Sequence, residues 1–166
     1  MKKEVKNVST VYLNQFELNE LFMLNLSTNP SLQKVRDMFI VGAYTGIKLN
    51  DIYQVISSNL KHNPDCLTNR QLKVPGRDGK ETEIYMKDIV FQVLLKYQFR
   101  VPVPVGMDLM NSSLKNICKM VDSLKKLTKI EVDIEGRKEQ RLFRKYELVS
   151  VFAARKSYVA MMLQPL

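Results

Sequence analysis

The chain has 166 residues with 45% apolar and 26% charged side chains, a composition typical of one globular domain rather than of a disordered or collagen-like chain. It lacks a run of about 18 apolar residues for a membrane-spanning helix, and its start is not typical of a signal peptide. With two cysteines and one histidine, His62, it is unsuited to a disulfide framework or a Cys/His zinc site. We therefore expect a cytoplasmic protein without a metal or another cofactor.

The charge is strongly positive and unevenly distributed. Lys and Arg number 26 against 17 Asp and Glu, which gives +9 and a pI near 9.5. The chain through Cys66 carries only +1, and the rest carries +8. Such an excess suits a protein that displaces counterions from a phosphate backbone, although membrane-surface and simply soluble basic domains share it. Charge alone leaves the partner open.

The first 13 residues are polar, basic and unpatterned, and we interpret them as a linker before a domain at 14–166. The domain opens with Asn14 as a helix cap and Glu17 reaching back to it. Gly46 is expected to end the second helix in a left-handed conformation, and Asn50 and Ser150 to cap later ones. Apolar periodicity predicts helices over about 15–25, 31–44, 51–57, 86–97, 112–127 and 151–163.

Alternating apolar residues over 72–74 and 82–86 flank Gly76-Arg77-Asp78-Gly79, and this pattern predicts a basic β-hairpin. The Val-Pro repeats at 101–106 favour an extended connection, and 129–135 is a candidate strand. The fold class predicted from these elements is mainly α with a small antiparallel β-sheet.

The helix predicted over 112–127 has one apolar and one cationic face. The cationic face includes Lys115 and Lys119. It is either an ordinary solvated surface or a surface that contacts an anionic partner.

Two segments about a hundred residues apart resemble a known family. Residues 35–52, with Thr45-Gly46-Ile47-Lys48 and then Asn50-Asp51-Ile52, resemble the segment of tyrosine recombinases (phage and transposon integrases) in which a helix ends in T-G-L-R before a new helix starts with S/E-D/E-L. Residues 150–158 are similar to the family's S-x-H-x-x-R-x-S/T-F/Y. Leu13-Asn14-Gln15-Phe16-Glu17-Leu18 is similar to the L-T-x-x-E-L that opens the domain in Bacteroides-type integrases. The resemblance covers roughly 13–163, and it implies the DNA breaking-rejoining fold of the catalytic domain and a bacterial source.

The resemblance implies a site that binds the scissile phosphate with paired N–H donors, while other groups manage protons. Arg155 matches the second arginine of the family. Lys48 stands at the first arginine, where lysine retains the charge and loses the bidentate fork. Phe152 occupies the histidine position and cannot transfer a proton, so no function is expected of it there.

The family also places a catalytic lysine on a hairpin. Gln71-Leu72-Lys73-Val74 resembles its Q-x-K-T, which makes Lys73 the best match and Lys80 the alternative. Arg77 at the tip is a poor general acid because arginine does not readily lose its proton. Each of these three residues could equally be a solvated hairpin charge.

No residue matches the family's nucleophilic tyrosine, and Tyr158 matches an aromatic core position. The first function predicted is therefore a DNA-binding homologue of the integrase catalytic domain, active in DNA integration and recombination as a family but inactive as this chain stands. The alternatives are an active recombinase completed by a further C-terminal segment or another protomer, and a basic interaction domain that binds no DNA. The expected partners are double-stranded DNA and a second copy on DNA, with no membrane. The residues expected to contact DNA are Lys48, Lys73, Arg77, Lys80, Lys115, Lys119, Arg155 and Lys156.

Overall fold

The computed structural model describes the backbone of residues 4–6 and the whole of residues 11–164. Within this part of the chain there are seven α-helices, two short 3-10 turns and five strands. The helices are α1 (Gln15–Met23), α2 (Pro30–Thr45), α3 (Leu49–His62), α4 (Asp88–Lys96), α5 (Met107–Cys118), α6 (Lys145–Leu148) and α7 (Phe152–Met162). The strands are β1 (Glu4–Lys6), β2 (Gln71–Pro75), β3 (Glu81–Tyr85), β4 (Leu127–Ile134) and β5 (Arg137–Arg144). The expectation of a mainly helical fold with a small antiparallel component is confirmed.

Helix α2 is the centre of the core. All residues from Val35 to Thr45 are buried, so this helix has no solvent-facing side over its last three turns. It contacts α1, α3, α4, α5 and α7. An apolar band on every face is what a central helix requires, because each face meets another element. The sequence of this segment is correspondingly an almost continuous run of apolar residues.

The strands form two separate antiparallel sheets. β2 and β3 make the predicted hairpin, with Leu72 opposite Ile84. The second sheet has the order β1-β4-β5, and β4 pairs with β5 along its whole length. A small apolar cluster of Val11, Ile130, Val132 and Leu148 lies against this sheet.

The segment predicted as a linker is partly built into the fold. Residues 4–6 pair with 132–134 of β4, and Val11 and Leu13 are buried. The Leu13 N–H donates to Ser157 Oγ at 2.8 Å, which ties this segment to α7. The polar composition of residues 1–13 concealed these contacts because they depend on backbone groups and on two isolated apolar side chains.

Several element boundaries differ from the sequence prediction. The third helix begins at Leu49 with Lys48 as its cap and extends to His62, so Asn50 is inside it. Helix α5 runs from Met107 to Cys118 rather than over 112–127, and a 3-10 turn follows. Ser150 does not cap α7, whose cap is Val151 without a side-chain bond. β5 was not predicted, because its mostly exposed charged residues lack an apolar alternation.

Candidate functional site

The turn between α2 and α3 sets the position of Lys48. Gly46 closes α2 with φ +72°, a left-handed conformation in which L side chains are strained. The buried Thr45 hydroxyl donates to the Val41 carbonyl at 2.7 Å and accepts from the Ile47 N–H at 3.3 Å. These bonds hold the chain as it leaves α2, and Lys48 follows as the exposed N-cap of α3.

The start of α7 places Phe152 and Arg155. Asn111 of α5 accepts the Val151 N–H at 2.9 Å and so orients the first turn of α7. Ala153 and Ala154 face the core, while Phe152 and Arg155 are exposed on the opposite side. The two small alanines permit close packing of α7 on α2, so the exposed face is brought near the α2–α3 turn.

The hairpin is attached to α3 through one buried side chain. The Asn59 amide donates to the Lys73 carbonyl at 2.8 Å, and its oxygen accepts the Lys73 N–H at 2.8 Å. Asn59 also donates to the Val55 carbonyl at 2.8 Å. These two bonds satisfy the backbone N–H and carbonyl of Lys73, as a further strand beside β2 would do. The Lys73 side chain is exposed. Arg77 lies beyond it at the tip of the hairpin.

Two clefts meet at these elements. The hairpin cleft is a cavity of about 610 Å³ between the α2–α3 turn, α3 and the hairpin, and its lining includes Lys48, Lys73, Arg77 and Arg155. The apolar cleft is a cavity of about 860 Å³ between the starts of α3 and α5 and the exposed face of α7. Its lining includes Lys48, Arg77, Arg155 and Lys156, together with Tyr12, Phe152 and aliphatic side chains. Lys48, Arg77 and Arg155 line both clefts.

The cations of these clefts have no side-chain partner. Within residues 11–164, no hydrogen bond or ion pair involves the side chains of Lys48, Lys73, Arg77, Arg155 or Lys156. The hairpin cleft also contains two carboxylates, Asp51 and Glu81, whereas no carboxylate is among the described residues that line the apolar cleft. Unpaired cations from separate chain segments that line one solvent-filled space raise its electrostatic potential.

The other residues predicted for the site lie elsewhere. Lys80 is exposed on the far side of the hairpin turn and lines neither cleft. Lys115 and Lys119 are exposed on and just after α5, and they line neither cleft. His62 is exposed at the end of α3. The structure therefore brings together five of the predicted cationic residues, and it places Phe152 among them.

Sequence reasoning missed Asn59 and Asn111, which position the hairpin and α7. Both residues lie outside the helices predicted over 51–57 and 112–127, and the structure places them inside α3 and α5. The sequence carried no signal for their partners, because the hairpin and the start of α7 meet these asparagines only through tertiary packing.

Other chemistries are limited in the described part of the chain. Both cysteines are free and buried, and burial raises the pKa of the Cys118 thiol to about 12. Among residues 4–6 and 11–164, no three His, Cys, Asp or Glu side chains are grouped closely enough to hold a metal ion. None of the helices described is long and apolar enough to cross a membrane.

Comparison with models of known protein families, with curated proteins and with solved structures returned no match for this chain.

Proposed function

We propose that this chain is a DNA-binding domain similar to the catalytic domain of tyrosine recombinases, and that the hairpin cleft binds phosphates of a DNA duplex. The observation that carries the proposal is the convergence of Lys48, Lys73, Arg77 and Arg155 on one cleft without side-chain partners. These residues come from the α2–α3 turn, the hairpin and α7. The α2–α3 turn and α7 belong to the two segments that resemble the family, and the hairpin is where the family has its catalytic lysine.

The chemistry of these four side chains suits a phosphodiester better than a carboxylate or a neutral ligand. A phosphate offers several oxygens to donors that approach from different directions, and Arg155 and Arg77 can each supply paired N–H groups. Lys48 and Lys73 contribute point charges on flexible stems. Asp51 and Glu81 in the same cleft reduce the local positive potential, and each would repel a phosphate placed directly beside it. The phosphate is therefore expected nearer Arg155 and Lys48.

We expect this chain to bind DNA without cleaving it. General acid–base help by a side chain typically contributes about 10²–10⁴ in rate. Phe152 can provide none at the position where the family has histidine. A covalent adduct that survives denaturation, formed with a nicked duplex, would favour the alternative of an active recombinase.

The experiment measures duplex DNA binding by fluorescence anisotropy over a range of salt concentrations. We expect affinity to fall steeply with salt, because each neutralised phosphate contributes a slope of about −0.9 in log K against log[salt]. The double variant Lys48→Glu/Arg155→Glu should weaken binding and lower the slope by about 1 for each lost contact.

The matched control is Lys115→Glu/Lys119→Glu, which makes the same change in net charge outside both clefts. It should weaken binding much less. An equal loss of DNA affinity in the two double variants would show that net charge rather than the hairpin cleft governs binding. No binding by the unaltered chain at micromolar concentration would favour a basic interaction domain instead.

A further inference from the structure

The exposed face of α7 is apolar where a solvated helix would be polar. Phe152, Val159 and Leu163 are 60%, 47% and 78% exposed, and they recur at a spacing that places them along one face. Tyr12, 41% exposed, lines the apolar cleft together with them. An exposed apolar surface bordered by charges commonly marks a binding site.

The positive charge of this cleft favours an anionic ligand. Lys48, Arg77, Arg155 and Lys156 all line it, and none of its described lining residues is acidic. Its volume of about 860 Å³ is within the range of small-ligand sites. The ligand must therefore combine a negative group with a flat or apolar body.

The connection between the clefts specifies the ligand further. Because Lys48, Arg77 and Arg155 also line the hairpin cleft, a phosphate bound by them lies beside the apolar cleft. A group attached to that phosphate can then enter the apolar cleft, whose lining includes Phe152 and Tyr12. Stacking of a base on an aromatic ring next to a cationic groove is the common mode of binding unpaired nucleotides.

We infer that the apolar cleft binds an unpaired nucleotide of DNA, with its phosphate on Arg155 and Lys48 and its base against Phe152. This inference rests on the proposed function. A base inside a continuous duplex cannot reach the ring, because it is paired and stacked. The protein should therefore prefer DNA that has an unpaired nucleotide at an end or a gap over a continuous duplex.

An acidic amphipathic peptide has a similar combination of charge and apolar surface. The nucleotide is favoured because the cations shared with the hairpin cleft would join both clefts into one continuous path for a nucleic-acid strand. The aromatic side chains also line the apolar cleft together with those cations. The peptide is treated as an outcome of the test.

The test compares three labelled DNAs at one salt concentration: a blunt hairpin duplex, the same duplex with a short single-stranded tail, and the same tail with abasic sites. We expect about tenfold tighter binding of the tailed duplex than of the other two, in keeping with the usual contribution of base stacking. Phe152→Ala should abolish this preference, so that the tailed and blunt duplexes bind with equal affinity, whereas Phe152→Tyr should retain it. Leu142→Ala, an exposed apolar residue of β5, is the matched control and should change nothing.

The outcomes separate this inference from the proposed function. Failure of the blunt duplex to bind would overturn the proposed function itself. If the blunt duplex binds and the tailed duplex binds with the same affinity, only the inference is overturned. An acidic peptide would then be the remaining candidate ligand of the apolar cleft. A tail preference that persists in Phe152→Ala would also overturn it. Circular dichroism, recorded while each variant is heated, checks that the variant is folded.

Discussion

The ring of Tyr158 lies against Gly46, with Tyr158 Cδ1 2.5 Å from the point that a β-carbon on Gly46 would occupy. Gly46 ends α2 and Tyr158 belongs to α7, so this contact joins the two segments that carry the site. Lys48 follows the glycine by two residues, and Arg155 precedes the tyrosine by about one helical turn. The close approach of ring and backbone is therefore part of what places the two cations at one cleft.

Replacing Gly46 with alanine should destabilise the fold for two reasons. The residue has φ +72°, and the new methyl group would overlap the Tyr158 ring. We expect a loss of about 2–4 kcal/mol in the free energy of unfolding, measured by urea denaturation. Gly79→Ala is the matched control, since Gly79 has φ +75° but no atom within 4 Å of its β-carbon position. It should cost only about 1 kcal/mol. Equal losses would contradict a steric role for Tyr158.

Replacing Asn59 with alanine should loosen the hairpin. The change removes both bonds to the Lys73 backbone and leaves the buried Val55 carbonyl without its side-chain donor. We expect a loss of about 1–3 kcal/mol and faster hydrogen exchange at the Lys73 amide. Asn63→Ala is the comparison, because Asn63 donates to the Asn59 and Gln71 oxygens only at 3.4 Å. Unchanged exchange at Lys73 in Asn59→Ala would show that β2 is held by other contacts.

Glu17 should make stability depend on pH in the acid range. Burial alone would raise the pKa of this carboxyl group, but hydrogen bonds from Lys126 and Lys145 outweigh that effect and hold the pKa below its ordinary value of 4.5. A carboxylate with a lowered pKa in the folded state stabilises the fold above about pH 4.5, and that contribution is lost as the pH falls through the folded-state pKa.

The variant Glu17→Gln tests this. At pH 7 it should be less stable by about 1–3 kcal/mol, and the difference from the unaltered chain should shrink below pH 4.5 because glutamine does not titrate. Glu147→Gln is the control, since Glu147 accepts the Arg144 N–H from an exposed position. Chemical denaturation at several pH values provides the measurement. A difference that is the same at pH 3 and pH 7 would contradict the account.

Asp37 should be the most sensitive of the buried charges. It is fully buried and accepts from Arg36, Lys96 and the Tyr97 hydroxyl at 2.6–2.8 Å. Burial and the bond to Asp37 raise the pKa of Tyr97 above its ordinary value of 10, so its hydroxyl remains a donor into the alkaline range. Asp37→Asn leaves the buried Arg36 without its counter-charge and should cost about 3 kcal/mol or more in a denaturation experiment.

The comparison is Lys96→Met, which removes a half-exposed partner of the same carboxylate. It should cost no more than about 1 kcal/mol. If Asp37→Asn also lowers the free energy of unfolding by no more than about 1 kcal/mol, Arg36 is held mainly by backbone carbonyls at the end of α1. These are the carbonyls of Leu21, Phe22 and Leu24.

Elements with strong local signals were predicted well. The Asn14–Glu17 capping box, the glycine that ends α2 and the Asp-Gly turn of the hairpin are all present, since each depends on residues a few positions apart. β5 and the true start of α5 were missed. Their local sequences are polar or ambiguous, and pairing with β4 or packing on α2 decides them instead.

The sequence by itself determined a basic, mainly helical domain and the residue types available for a phosphate site. It also specified that Phe152 and Lys48 depart from the pattern of the family that the chain resembles. Only the tertiary structure decided which cations share a cleft, because residues as far apart as Lys48 and Arg155 meet only through the packing of α7 on α2. The tertiary structure also places Lys80, Lys115 and Lys119 outside both clefts. The direction of an exposed side chain depends on how its element is packed, and local periodicity does not encode that packing.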